Sequence, residues 1–150
     1  MKKKNAGHRR SVAKRAGITQ RRALGGVSVV ELGCAGHFIC ANSCRFRRHT
    51  QLGDAYRVST IGDYYPDHRG GKRETIGAGE DSLFETLVFE TTGEQDKGNE
   101  GCGCRTVKSW LEIDGERYAT AGEAQAGHER YVAQYLRLAT EARTLGAGAT

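Results

Sequence analysis

The clearest pattern of apolar and polar positions lies at residues 83–90, which read LFETLVFE. Successive side chains of a β-strand point to opposite faces, so Leu87 and Phe89 fall on one face and Phe84 and Val88 on the other. Apolar residues on both faces are typical of a strand that is buried between two layers. The pattern therefore predicts a central strand here.

Alternation with the same period predicts further strands. Residues 55–61 alternate Tyr, Val and Thr with Arg, Ser and Ile, a composition that strands favour. Asp114 and Gly115 suit the positive φ angles of a type I′ turn, so they predict a hairpin between the segments that flank them. The remaining predicted strands are short and comprise residues 37–40, 73–76, 107–113 and 116–119.

Beyond residue 119 the apolar residues recur at helical spacing. Thr120 and Glu123 match a capping box, whose side chains bind the first backbone N–H groups of a helix. The apolar stripe behind it consists of Ala124, His128, Tyr131, Val132, Tyr135, Leu136 and Ala139. The helix should continue to about Arg143 and end before Gly146. The predicted fold class is α+β, a small antiparallel sheet with one C-terminal helix packed on it.

The distribution of charge separates the N-terminal segment from this domain. Residues 1–30 hold nine of the 23 Lys and Arg, and the 18 Asp and Glu all come later in the chain. A basic segment with few apolar side chains buries too little surface to offset its chain entropy. We therefore expect a disordered basic tail over residues 1–33, a single domain over residues 34–145 and a flexible C-terminus over residues 146–150.

Two interpretations of the basic tail stay open. The tail contacts the phosphates of a nucleic acid, an interaction that is independent of sequence and sensitive to salt. Alternatively, it is a solubilising extension, or it results from a start codon placed too far upstream. The candidate nucleic-acid-binding residues of the tail are Lys2, Lys3, Lys4, Arg9, Arg10, Lys14, Arg15, Arg21 and Arg22.

The cysteines predict a metal site. The chain has five cysteines, which is an odd number, and we expect it to be cytoplasmic. Neither feature indicates a disulfide framework. A zinc ion takes four N or S ligands, often as two pairs on tight turns. The assignment that fits best is a structural Zn²⁺ ion that staples the domain and is bound by Cys40, Cys44, Cys102 and Cys104, with His37 and His49 as alternates. The competing interpretation is reduced thiols without a metal.

Three arginines follow this first cysteine cluster. Arg45, Arg47 and Arg48 surround Phe46, and basic residues with an interleaved aromatic can bind phosphate and stack on a base. The alternative is a solvated loop whose one aromatic side chain is held in the core. Both interpretations stay open at this point.

No catalytic motif emerges from the sequence. His128 and Glu129 lack the second His of a metalloprotease helix, and His128 on the apolar stripe is better interpreted as a packed core histidine. The sequence therefore favours a binding protein over an enzyme. No apolar run approaches the roughly 20 residues of a membrane span, and Glu31 interrupts the one run that could resemble an export signal. We expect a cytoplasmic protein without a membrane partner.

Several segments, taken in order, resemble a family of small uncharacterised bacteriophage and prophage proteins. They are HFICANSCRF (37–46), YRVSTIGDY (56–64), ETIGAG (74–79), FETLVF (84–89), GCGC (101–104) and TAGEAQAGHERYV (120–132). Arg47 stands where that family often has a His, and His49 follows two residues later. The resemblance implies a phage origin and a place in the host cytoplasm, and it implies no particular activity.

Together these features predict a small phage accessory protein with a structural zinc site that binds a host protein, another host macromolecule or nucleic acid. Two alternatives remain. One is a metal-dependent hydrolase or nuclease that uses the same Cys/His site. The other is a minor structural protein of the virion. The oligomeric state is not indicated.

Overall fold

The computed structural model describes residues 18–32, 41–67, 71–95 and 104–147. These ranges contain seven strands followed by a helix, with a short 3-10 turn (Ala41–Ser43) before the third strand. The strands are β1 (Ile18–Leu24), β2 (Val27–Leu32), β3 (Cys44–Leu52), β4 (Tyr56–Tyr64), β5 (Phe84–Gln95), β6 (Arg105–Val107) and β7 (Asp114–Tyr118), and the helix is α1 (Ala121–Ala147). The predicted α+β class is confirmed.

The first five strands form an antiparallel meander in which each strand pairs with the next along the chain. The first half of β5 also pairs with β7, and its second half pairs with β6. Because β5 has neighbours along its whole length, it is the central strand that the LFETLVFE pattern predicts. None of the helices in the described ranges is long and apolar enough to cross a membrane.

The structure corrects the predicted boundary at residue 33. Residues 18–32, which we assigned to a disordered tail, form the hairpin of β1 and β2, and β2 pairs with β3. Gly25 and Gly26 make the two-residue turn with φ angles of 55° and 73°, which glycine adopts without strain. The buried side chains of β2 are Val27, Val29, Val30 and Leu32. The prediction of disorder followed from the high positive charge of the segment and did not take these apolar positions into account.

One face of the sheet is covered by α1. The predicted stripe of the helix is buried throughout except at Leu136, which is partly buried. One continuous cluster joins helix and sheet through Val29, Leu52, Val58, Val88, Tyr131, Val132 and Tyr135. Burial of this apolar area is the main favourable term that attaches the helix to the sheet.

Much of the opposite face of the sheet is buried as well. Ile61 packs with Ile76, which lies in the segment between β4 and β5, and a second cluster joins Val30 and Leu32 to Cys104. Only a single bridge, between Tyr64 and Glu74, replaces the strand that we predicted at residues 73–76. A sheet buried on both faces explains why several polar side chains of its central strands are also inaccessible to solvent.

The hairpin predicted at Asp114 and Gly115 is wrong. Both residues belong to β7, which pairs with β5 and not with β6. A Cβ atom at Gly115 would lie 2.7 Å from Cδ2 of Leu87 and 2.8 Å from the carbonyl oxygen of Thr86. This glycine therefore permits close packing of the two strands. Because it follows Asp, the pair also matches the sequence that type I′ turns favour.

The capping box of α1 is confirmed. The Glu123 N–H group donates to the Thr120 hydroxyl over 3.2 Å, and the Thr120 N–H group donates to the Glu123 carboxylate over 3.0 Å. The helix continues past the predicted end at Arg143 and includes Gly146 and Ala147. Glycine lowers helix propensity by only about 1 kcal/mol, so a helix anchored along its length can contain one.

Two glycines of α1 allow a matched test of the contact between the helix and Tyr118. A Cβ atom at Gly127 would overlap the Tyr118 ring, whereas a Cβ atom at Gly122 would contact nothing within 4 Å. We expect Gly127→Ala to destabilise the protein by about 1–3 kcal/mol because of overpacking. Gly122→Ala should stabilise it by up to about 1 kcal/mol through helix propensity. Urea denaturation measures both, and stabilisation by Gly127→Ala would contradict the contact.

Candidate functional site

A buried polar network surrounds His128 on α1. Its Nε2 atom lies 2.9 Å from the Thr50 hydroxyl, and its Nδ1 atom lies 2.7 Å from the Thr60 hydroxyl. The Thr60 hydroxyl also lies 2.7 Å from that of Thr86. These threonines come from β3, β4 and β5, on the strand positions that face the helix. The imidazole bonds the side chains of β3 and β4 directly, and Thr60 extends the network to β5.

Burial keeps this imidazole neutral. His128 is fully inaccessible, and desolvation, together with the positive charge of Arg48 nearby, lowers its pKa from 6.5 to about 3. A general acid or base needs a pKa near the working pH and access to a substrate proton. With both ring nitrogens bonded to threonines, His128 is the packed core histidine that its place on the apolar stripe predicts.

Arg48 lies at the edge of the same network. Its guanidinium forms ion pairs with Glu31 and, over 3.5 Å, with Glu129 of the helix. A cavity of about 160 Å³ adjoins these groups and is lined in part by Arg22 and His128. Because its charge is already paired on the helix side of the sheet, Arg48 is separated from the other two arginines of the predicted trio.

Arg45 and Arg47 point to the opposite face of the sheet and are exposed. They occupy alternate positions of β3, so their side chains are neighbours on that face. The guanidinium carbon of Arg45 lies 3.7 Å from the centroid of the Tyr65 ring, within cation–π range. Phe46, which we considered as a stacking residue, instead packs edge-to-face on Phe84 below the helix.

The exposed pair differs from six arginines of the described ranges, which form ion pairs with carboxylates. Arg22 and Arg143 are exposed as well and have no carboxylate partner in those ranges. The paired arginines are Arg48, Arg73, Arg105, Arg117, Arg130 and Arg137. Within the same ranges neither Arg45 nor Arg47 has a carboxylate partner. Their charge therefore remains available to an external anion.

The described cysteines of the predicted zinc site lie apart. Cys44 begins β3 and is buried with Ile61 and Ile76, whereas Cys104 precedes β6 and is buried with Val30 and Leu32. The ligands of one zinc ion lie within about 4 Å of each other, since each Zn–S bond is roughly 2.3 Å. The structure does not bring these two thiols together.

The other predicted metal ligands either lie outside the described residues or are buried elsewhere. Cys40, Cys102 and His37 lie outside the described residues, as do the basic residues that precede Ile18. His49 is buried on the face away from α1, opposite Ser59. Within the described part of the chain, no three His, Cys, Asp or Glu side chains form a metal-binding group.

Arg57 is a feature that the sequence analysis missed. It lies in the middle of the sheet on the face away from α1, and only 3% of its surface is exposed. Its Nε and Nη2 atoms have no hydrogen-bond partner in the described structure. A guanidinium keeps its charge in proteins, and burial of an ion costs several kcal/mol unless it is paired. The only sequence signal was an Arg within a strand whose neighbours are apolar or small.

Comparisons of the chain with protein-family models, with curated proteins and with solved structures find no match. Function must therefore be argued from the side chains described above.

The lowered pKa of His128 predicts a pH-dependent contribution to stability. Below pH 6.5 the unfolded chain takes up a proton on this ring and the folded chain does not, so stability present above pH 6.5 is lost as the pH falls toward 3. His128→Leu should cost about 2–4 kcal/mol at pH 7.5, because buried threonine hydroxyls lose their partners.

At pH 5 the cost of His128→Leu should be smaller by about 2 kcal/mol, because protonation of His128 in the unfolded chain destabilises only the wild type. Chemical denaturation of both proteins at the two pH values measures the difference. A destabilisation of the same size at both values would contradict the burial of a neutral His128.

Proposed function

We propose that the protein binds nucleic acid through its phosphates, with Arg45 and Arg47 as the contact residues of the folded domain. The observation that carries this proposal is that two exposed arginines are neighbours on one face of β3 and have no carboxylate partner in the described part of the chain. Unpaired surface guanidinium groups match the phosphates that dominate nucleic-acid affinity.

The position of the N-terminal segment supports the same surface. β1 and β3 run in the same direction, because both pair antiparallel with β2. Ile18 pairs with Leu32, and the residue before Leu32, Glu31, pairs with Thr50 in the second half of β3. Because β1 and β3 run in the same direction, the N-terminal end of β1, which the seven Lys and Arg of residues 1–17 precede, is directed toward the end of β3 that carries Arg45 and Arg47.

The aromatic partner of Arg45 adds a second type of contact. Tyr65 follows β4 and its ring lies against the Arg45 guanidinium, so both groups reach the same part of the surface. Single-stranded nucleic acids bind proteins through a basic groove and through aromatic rings on which bases stack. We therefore expect binding to single strands to be at least as strong as binding to duplexes of the same length.

Fluorescence anisotropy with a labelled oligonucleotide at several salt concentrations tests the proposal. The double variant Arg45→Gln/Arg47→Gln should bind about tenfold more weakly. The slope of log Kd against log salt concentration should fall by about two, because each phosphate contact contributes roughly one. No binding by the wild type at low salt would contradict the proposed function.

A matched control separates a local surface from the net charge of the protein. Arg130→Gln/Arg137→Gln removes the same charge from exposed positions of α1, where both arginines pair with carboxylates. This variant should bind almost as tightly as the wild type. If both double variants lose affinity equally, the contribution of Arg45 and Arg47 is only their charge, and the proposed surface is wrong.

A structural zinc ion remains part of the proposal on the basis of cysteine spacing alone. The spacing of Cys40 with Cys44 and of Cys102 with Cys104 supports it. One ion bound to all four sulfurs would require Cys44 and Cys104, which are buried in different clusters, to come together. Elemental analysis of protein prepared without chelator should find about one zinc per chain if the sulfurs share one ion. Protein without stoichiometric metal would contradict this part.

A further inference from the structure

The sheet has two open edges in the described ranges. β1 pairs only with β2, and β7, on the opposite side of the sheet, pairs only with β5. Each edge has three successive exposed residues, whose side chains alternate between the two faces of the sheet. They are Arg22, Ala23 and Leu24 on β1 and Gly115, Glu116 and Arg117 on β7. Neither face is closed by another described segment at these positions.

The charges of the two edges are opposite in sign. β1 contains two arginines and no acidic residue. Residues 112–118, which comprise β7 and the two residues before it, contain three carboxylates and one arginine, namely Glu112, Asp114, Glu116 and Arg117. An open edge can pair with another strand through its backbone N–H and C=O groups, and charged side chains on it disfavour pairing with a like-charged edge. They do not disfavour pairing with an edge of opposite charge.

Part of this charge is not compensated within the described chain. Arg22 has no carboxylate partner there. The Asp114 carboxylate accepts from the hydroxyls of Tyr131 over 3.4 Å and Tyr135 over 3.0 Å, which are neutral donors. Glu116, in contrast, pairs with Arg130. Each edge therefore keeps a charge that a partner of opposite sign can neutralise.

The two edges also match in direction and in face. β1 has the direction of β3 and β5, whereas β7 is antiparallel to β5, so β7 and β1 run in opposite directions. A second copy placed beside β7 in the same orientation brings its β1 antiparallel to β7 and its α1 to the same side of the sheet. Arg22 pairs with Val29, which faces α1, and Asp114 bonds to tyrosines of α1. The opposite charges thus lie on one face, where cross-strand side chains contact each other.

We propose that copies of this chain associate head to tail, with β1 of one copy paired to β7 of the next and Arg22 placed against Asp114 and Glu116. A pair joined in this way still has one open β1 and one open β7. Association therefore continues beyond two copies, as an open chain or a closed ring. The contact also covers part of Leu24 and Ile113, whose exposed fractions are 44% and 48%. It does not depend on nucleic-acid binding.

Sedimentation velocity of the full-length chain, purified free of nucleic acid, tests the proposal. The weight-average mass of the wild type should rise with protein concentration and exceed the mass of two chains. Arg21→Glu/Arg22→Glu makes both edges acidic, and Glu112→Lys/Glu116→Lys makes both edges basic. Each variant alone should associate about tenfold more weakly, because like charges then face each other. An equimolar mixture of the two variants should associate again, since every acidic edge meets a basic one.

A matched control separates the edges from the net charge of the protein. Arg45→Glu/Arg47→Glu makes the same change of charge on β3, which lies between β2 and β4, and should associate like the wild type. A wild type that stays monomeric overturns the proposal, as does a dimer that grows no further, which indicates a two-fold contact. A mixture that stays as monomeric as its separate components also overturns it. If circular dichroism shows that one edge variant is unfolded, the wild type and the other variant decide.

Discussion

The imidazole of His128 determines where α1 lies on the sheet. Apolar packing alone would tolerate small shifts of the helix, but the ring must meet Thr50 and Thr60 at once, and Thr60 must also meet Thr86. Each buried polar group left without a partner costs about 1–3 kcal/mol. A helix displaced by one turn would lose these bonds together, so the network selects one position and holds three strands in register beneath it.

The same strands present different chemistry on their two faces. On β4, Val58 and Thr60 face the helix, whereas Arg57 and Ser59 face away from it. The helix-facing side is closed by apolar packing and by a neutral histidine. The opposite side carries charged groups, from the exposed arginines of β3 to the buried Arg57. The proposed phosphate contacts of Arg45 and Arg47 therefore lie on the face that α1 does not cover.

Local sequence patterns predicted the helix and the central strand correctly, because each of their side chains meets a single requirement, either burial or capping. Thr120 and Glu123 cap α1, and the stripe that includes His128 is buried. Positions that meet two requirements were predicted wrongly. At β2 the charge of the segment predicted disorder, although its valines are buried. At Gly115 a glycine needed for close strand packing matched the sequence of a turn. The threonine partners of His128 and the aromatic neighbours of Arg57 are far away in the sequence, so only the folded sheet identifies them.

The state of the His128 ring tests this account most directly. Nitrogen chemical shifts of the imidazole, followed by NMR from pH 7.5 to pH 4, distinguish a neutral ring from a protonated one. The account predicts a neutral ring throughout, since burial lowers its pKa to about 3. It also predicts distinct shifts for the two nitrogens, as expected of one fixed tautomer. Titration with a pKa near the ordinary value of 6.5 would show that the ring is solvated. It would contradict the position of α1 over the threonines of the three strands.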